Sequence, residues 1–328
     1  MLEITKEIAL ANLKTFRVNL TDSMRGNTFR EGVLFKGEFG WAEFAPFPDH
    51  KIEHSSRWLQ AALEMAWTKL PQPTVPQVAV NAISTSPDPF EAIKIIEASG
   101  CQTLKLKLSG IDLVKDLELI RTIHEVKPNT IFRIDFNGNL SPDQVLKYEK
   151  NFADINIEYI EQPCKSLEEI RELRKTSGLK IAVDESLRLA LDSTDRELVN
   201  SIVEISDFVI IKPIPIGGIK RFQIISEQVK DSGKQVVVSG SMDTSIGLYL
   251  TTLAQSLLAK DYQVVAGAGT GSLLATDVVQ KTLKPHNGVV DVLRLDIDEQ
   301  VILKSPNDGE LRNKISEAFD FGRERGWF

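Results

Sequence analysis

Carboxylates and lysines recur in this chain where short apolar runs end. Lys105 and Lys107 close the run Leu104-Lys105-Leu106-Lys107. Asp135 and Asn137 close the next, Glu161 the one after, Asp184 and Glu185 a fourth, and Lys212 a fifth. If the runs are adjacent parallel strands, about 4.8 Å apart, Asp135, Glu161 and Asp184 converge on one point. Three clustered acids repel unless a cation joins them. An oxygen-only set suits Mg²⁺, with Mn²⁺ able to substitute. Any one of these acids reads equally well as the cap of a following helix. Three at matching positions favour a metal.

The lysines supply the other half of the chemistry. Lys105 and Lys107 are two residues apart and share one side of a strand. Lysine is rarely buried without a partner. Ammonium groups side by side favour the neutral form, and a neutral lysine is a competent general base. Taken alone, Lys-x-Lys is the exposed face of an edge strand, but a closed barrel has no such edge. Together the groups describe a metal-held carboxylate substrate whose alpha proton a lysine removes, leaving an enediolate stabilised by positive charge. None of His50, His54, His124 and His286 ends a run, so a histidine base is not expected. Ser239-Gly240-Ser241 follows the seventh run. It reads as an anchor for a substrate carboxylate or phosphate at a helix N-terminus, or equally as a plain turn with a cap.

Something must hold these residues in register. Apolar runs centred near Val80, Lys105, Arg133, Glu158, Ala182, Ile210, Val237 and Val265 recur at intervals of 24 to 28 residues, separated by helical patterns such as Leu113 to Val126 and Leu167 to Lys175. Eight such units predict an α/β fold of the (β/α)₈ barrel type, with catalytic groups at the C-terminal strand ends. A doubly wound open sheet is the alternative for alternating strands and helices. Residues 1–76 read differently. A strand is expected over Leu13 to Leu20, a hairpin or meander over Phe29 to Phe44 and a helix over Ser55 to Leu70, followed by the linker Pro71-Gln72-Pro73-Thr74-Val75-Pro76. They form an α+β capping domain. The barrel spans 77–284, and 285–328, with a strand near Val290 to Leu295 and a helix near Ile315 to Phe321, packs back on the cap.

Composition sets outer bounds. The chain has 328 residues, 42% hydrophobic, with a net charge of -7, which argues against nucleic acid or an anionic membrane as partner. No apolar stretch approaches a membrane span or a signal core, so a cytoplasmic enzyme with a small-molecule carboxylate substrate is expected. The oligomeric state stays open, and a monomer is compatible with the sequence. Cys101 and Cys164 lie in no metal or redox spacing and read as packing residues.

With these residues in view, the chain resembles the enolase superfamily, in its muconate-lactonizing-type subgroup with lysines on both faces of the site. Lys105-Leu106-Lys107, Asp135 with Asn137, Glu161-Gln162-Pro163, Asp184-Glu185 and Lys212-Pro213 match the family motifs in order, and Gly40-Trp41-Ala42-Glu43-Phe44-Ala45-Pro46 extends the likeness into the cap. The resemblance implies Asp135, Glu161 and Asp184 as Mg²⁺ ligands, braced by Asn137 and Glu185, with Arg133 supporting the metal site or Lys107. It implies Lys107 as the base that also helps hydroxide leave, Lys212 as a cation on the opposite face and Lys105 as a tuning group. Arg25, on a loop from Asp22 to Thr28, would close over the substrate with Ser239, Gly240 and Ser241.

Within the superfamily the likeness is greatest to members that dehydrate 2-succinyl-6-hydroxy-2,4-cyclohexadiene-1-carboxylate in menaquinone biosynthesis. Asp243 departs from the Ser/Thr run expected there. The Asp-x-Asp of a dipeptide epimerase is missing from Ala266-Gly267-Ala268-Gly269-Thr270-Gly271. An N-acylamino acid racemase, a dipeptide epimerase or a lactonizing isomerase on the same fold, and a non-catalytic metal-binding barrel, are the competing readings.

Overall fold

Aromatic and β-branched residues alternate with polar ones near the N-terminus, and this pattern builds a small antiparallel sheet. In the computed structural model, which describes residues 4–11, 13–24, 27–258 and 264–328, the sheet comprises β1 (Leu13–Met24), β2 (Asn27–Gly37) and β3 (Gly40–Phe44), in that order. The hairpin or meander expected over Phe29 to Phe44 is the antiparallel β2–β3 pair, which turns between Gly37 and Gly40. Gly40 leaves that turn with φ +126°, a conformation that side chains disfavour. Phe35 and Phe44 bury their rings between the sheet and the helix Ile52–Trp67, and the C-terminal helix Asp308–Glu324 packs on that same helix.

The chain then crosses to a parallel sheet through β4 (Gln77–Ala79). Seven strands follow in sequential order: β5 (Ala82–Ser84), β6 (Thr103–Lys107), β7 (Ile131–Asp135), β8 (Ile157–Glu161), β9 (Ile181–Val183), β10 (Phe208–Ile211) and β11 (Gln235–Val238). Right-handed crossovers put the helices on the outside of such a sheet. Several of those helices begin on side-chain caps, with complete capping boxes at Ser141 with Gln144 and at Ser166 with Glu169.

The ring closes through single bridges rather than an eighth full strand. Ser239 pairs with Gly267 and Val80 with Ala266, both in parallel sense. Gly267 donates to the Val238 carbonyl at 2.8 Å, and Asn81 donates to the Ala266 carbonyl at 2.9 Å. The eighth expected run is therefore a short glycine-rich segment that spans the gap. Inside, Tyr159, Ala182, Phe208, Ile210 and Val237 form the barrel's own apolar plug.

The tail departs from expectation in one respect. Its strand, β12 (Val289–Asp291), pairs antiparallel with β4 and not with the cap sheet. β4 precedes the first barrel strand and offers an unpaired edge there, which β12 covers. Among the described residues no helix is long and apolar enough to cross a membrane.

Candidate active site

Alternation along each strand aims every second side chain into the barrel, so the last inward residue of each strand reaches its mouth. Asp135 ends β7 and Glu161 ends β8, with Asp184 directly after β9; all three are about 1% exposed or less. Lys105 on β6 lies between the first two, 3.0 Å from Asp135 Oδ2 and 2.5 Å from Glu161 Oε2. Lys107, at the end of β6, stands 3.6 Å from Asp135 Oδ2 and donates to Asn137 Oδ1 at 3.4 Å. Across the barrel, Lys212 contacts Asp184 Oδ2 at 2.6 Å.

The supporting residues form a second tier. Asn137, with a left-handed φ of 49°, turns its backbone N–H to Asp135 Oδ1 (3.0 Å) and its amide to Glu185 Oε1 (3.1 Å). Arg188 reaches both Asp184, at 3.1 Å, and Glu185, at 2.6 Å. Around this centre the acids Asp135, Glu161, Asp184 and Glu185 face the cations Lys105, Lys107, Lys212 and Arg188.

Burial and charge set the protonation of the centre. Burial alone would pull the Lys105 ammonium down, but Asp135 and then Glu161 outweigh it and hold it well above the ordinary lysine range. The expectation that the Lys105–Lys107 pair favours neutral amines is therefore wrong for Lys105, because the nearest groups to its ammonium are carboxylates. Burial and the Asp135 charge push the Glu161 carboxyl up. Asp135 is held low, since Lys105 and Lys107 more than offset its own burial.

Whether these residues fit a divalent cation can be tested on their unused valences. Glu161 Oε1 is buried and accepts no hydrogen bond, and Asp184 Oδ1 accepts none either, although Arg188 Nε stands 3.1 Å from it. An orphaned buried carboxylate oxygen is costly unless something positive meets it. Among the described residues no three acid, histidine or cysteine side chains stand close enough together to enclose an ion as they are, because the Lys105 ammonium bridges Asp135 and Glu161. The donor set is all oxygen, from three adjacent strand ends, and it suits Mg²⁺ in type.

At the seventh strand end the structure shows the second of the two expected readings, a turn with a helix cap. Ser239, Gly240 and Ser241 do line the cavity with Lys105, Lys107 and Lys212. The helix that follows, Ser245–Leu257, has no first-turn N–H to spare for a ligand. Thr244 N and Gly247 N donate to Glu43 of the cap, Ser245 N to Asp277, and Ile246 N to the Thr244 hydroxyl. Burial and the neighbouring Asp243 charge push the Glu43 carboxyl well up. Arg30, also from the cap, donates to the carbonyls of Met242 and Ala45. Two cap side chains thus clamp the turn after strand seven. The Ser239 hydroxyl is spent on the Gly267 carbonyl at 3.3 Å, whereas Ser241 Oγ and Thr270 Oγ1 have no partner.

Arg133 also departs from its expected role. It is fully buried one layer below Asp135, and its guanidinium goes to Glu158 Oε2 (2.6 Å), Asn81 Oδ1 (2.8 Å) and the Val265 carbonyl (2.8 Å). A register shift beside Arg133 leaves Glu158 as the extra residue of β8, and such bulges re-aim side chains. Arg133 therefore ties β7 and β8 to the closing segment. Arg133→Met should lower unfolding free energy by about 3 kcal/mol, read from the denaturant midpoint at unchanged slope. A loss below about 1 kcal/mol would mean that the bonds contribute little.

Other wall residues escaped the sequence reading. Phe47, His50 and Trp58 close the cavity from the cap side, and their rings pack edge-on with centroids 5.3 to 6.0 Å apart. Burial and the Arg188 charge push the His50 imidazole down to about 3, so it stays neutral. Arg188 was open to inference, lying four residues after Asp184 on one helical face. No comparable signal marks His50. Arg25 lies outside the described residues.

Comparison with known proteins places the geometry in context. The enolase C-terminal domain-like family matches residues 90–296, and the enolase N-terminal domain-like family matches residues 15–66. The o-succinylbenzoate synthase of Thermobifida fusca is 34% identical over 291 residues, covering 88% of this chain and 89% of that protein. The o-succinylbenzoate synthase of Mycolicibacterium smegmatis is 32% identical, covering 82% and 81%. Among solved structures, the muconate lactonizing enzyme from Pseudomonas putida superposes with a TM-score of 0.70 at 15% identity, covering 88% of this chain and 97% of that one. The L-Ala-D/L-Glu epimerase from Bacillus subtilis gives 0.71 at 18%, covering 89% and 98%. The structural likenesses speak to the shared fold.

Proposed function

Because this chain belongs to the enolase superfamily, we propose that it acts as an o-succinylbenzoate synthase, a hydro-lyase that removes water from 2-succinyl-6-hydroxy-2,4-cyclohexadiene-1-carboxylate on the way to menaquinone. The observation that carries this reading is the joint presence of Lys107 and Lys212 in one cavity beside the strand-end carboxylates. The sequence likeness to curated synthases over most of both chains supports it.

Superfamily members use Mg²⁺, and here Asp135, Glu161 and Asp184 would hold it. Bound there, it supplies positive charge to the carboxylate oxygens of the substrate as the alpha carbon loses its proton. The rest is done by the chain. Neutral Lys107 Nζ takes the proton from the ring carbon bearing the carboxylate, and its electron pair passes into an enediolate. The same group, now an ammonium, returns that proton to the hydroxyl leaving from the same face. Water departs, and the ring becomes aromatic. Lys212, a cation on the opposite face, stabilises the negative charge spread over the ring. Lys105 stays protonated and offsets the carboxylates. Ser241 and Thr270 supply hydroxyls to the substrate, and the Phe47, His50 and Trp58 wall excludes water.

The test is turnover of the cyclohexadiene carboxylate with Mg²⁺, followed by the absorbance of o-succinylbenzoate, with and without EDTA. Formation of product that EDTA abolishes is expected. Opposed lysines would also suit a 1,1-proton transfer. Exchange of the alpha proton of an N-acyl amino acid in D₂O, with no dehydration, would replace the synthase with a racemase.

A further inference from the structure

Gln162 follows Glu161 and is fully buried. Its backbone adopts a left-handed φ of 36°, unusual for a residue with a side chain, and Pro163 follows immediately. The strained turn sends the side chain across to the neighbouring loop. There its Oε1 accepts from the backbone N–H of Asp184 (3.1 Å) and of Ser186 (3.3 Å). Its Nε2 donates to the Cys164 carbonyl (3.1 Å) and to the Ser186 hydroxyl (2.9 Å). Both valences of the carbonyl oxygen and both amide hydrogens are used, which is all the amide can offer. The backbone N–H of Gln162 also donates to the Ala182 carbonyl at 2.8 Å, and its carbonyl accepts from Gly138 N at 2.6 Å.

One residue is thus bonded to the loops that follow β7, β8 and β9, each of which starts beside one of the three strand-end carboxylates. No other described side chain joins the backbone after Glu161 to the backbone of Asp184 in this way. We infer that Gln162 is the positioning residue of the metal site: its amide fixes the separation of Glu161 and Asp184, and so sets the affinity for a divalent cation without touching the ion. Only a primary amide of this length satisfies the pattern. Glutamate loses both donors and turns an oxygen toward the Cys164 carbonyl. Methionine keeps the volume and loses all four bonds. Loss of such supporting groups typically costs 10- to 100-fold in metal affinity. The inference rests on Asp135, Glu161 and Asp184 being the ligands, as proposed above.

The test is calorimetric titration of Mg²⁺ alone into the full-length protein and its Gln162→Met, Gln162→Glu and Asp184→Asn variants, with thermal melting of each as a check of folding. In Gln162→Met the Mg²⁺ Kd is expected to rise about 10- to 100-fold, while a cooperative melt persists. At saturating Mg²⁺ its KM for substrate should stay near that of the unaltered protein. If Gln162→Met does not fold, Gln162→Glu carries the same expectation. An unchanged Kd in a folded variant, when Asp184→Asn has lost binding, overturns the role of Gln162 and leaves the ligand assignment standing. Equal binding by Asp184→Asn and the unaltered protein overturns the ligand assignment, and the inference with it.

Discussion

Lys107→Ala is expected to lower kcat by about 10³- to 10⁴-fold, the upper range for a positioned acid–base group, with Mg²⁺ binding retained. The size follows from asking one amine to do two jobs, removing the alpha proton and returning it to the departing hydroxide. The structure gives it the means. Its side chain is 22% exposed, so a substrate can reach it, while Asp135 Oδ2 at 3.6 Å and Asn137 Oδ1 at 3.4 Å hold its head over the strand ends. Lys105, at 7% exposure, is tied to two carboxylates that hold its ammonium protonated, so it has no free form to act as base. Single-turnover absorbance separates the cases. A loss below tenfold would move the base role elsewhere, and Lys212 would be the next candidate.

Asp184→Asn is the second large effect. The substitution preserves shape and removes one charge from a fully buried position. Asp184 is bonded to Lys212 at 2.6 Å and to Arg188 at 3.1 Å, and those two cations together with Lys105 hold its carboxyl far below the usual range despite its burial. In the variant they face an amide, and the pocket carries one more net positive charge. Mg²⁺ affinity should fall by at least about 100-fold, beyond the loss of a merely supporting group. Turnover should stay abolished when Mg²⁺ is raised to compensate, because Lys212 loses the anchor that aims it at the substrate. Full recovery at high Mg²⁺ would show that Asp184 only adds affinity.

The strand ends could be read from sequence because a barrel imposes two regularities. A unit of 24 to 28 residues spaces the strands, and a two-residue alternation picks out the inward side chains. Lys105, Lys107, Asp135, Glu161, Asp184 and Lys212 all follow from those two periods, and each stands at the barrel mouth. What escaped depends on contacts that no period encodes. Gln162 reads as the variable position of a motif, yet its amide bridges two loops. Sequence leaves the helix after strand seven divided between an anion anchor and a plain cap, because the groups that occupy its N–H donors, Glu43 and Asp277, lie 201 and 32 residues away in sequence. Arg133 shares a face with Asp135, which suggests support for the metal site or for Lys107. A one-residue bulge in β8 gave it a different partner.

The clamp that Arg30 and Glu43 place on the turn after strand seven makes the two halves of this enzyme poor candidates for mixing and matching. A chimera that grafts a relative's cap onto this barrel would bring new walls for the substrate. Where that cap lacks an arginine at 30 or a glutamate at 43, it would also leave Thr244, Gly247 or the Met242 carbonyl without its partner. Changes of specificity along this lineage would therefore have to move in correlated steps, with cap and barrel substituted as a pair. A library built for new substrates should randomise positions 30, 43 and 242–244 together or leave all of them alone.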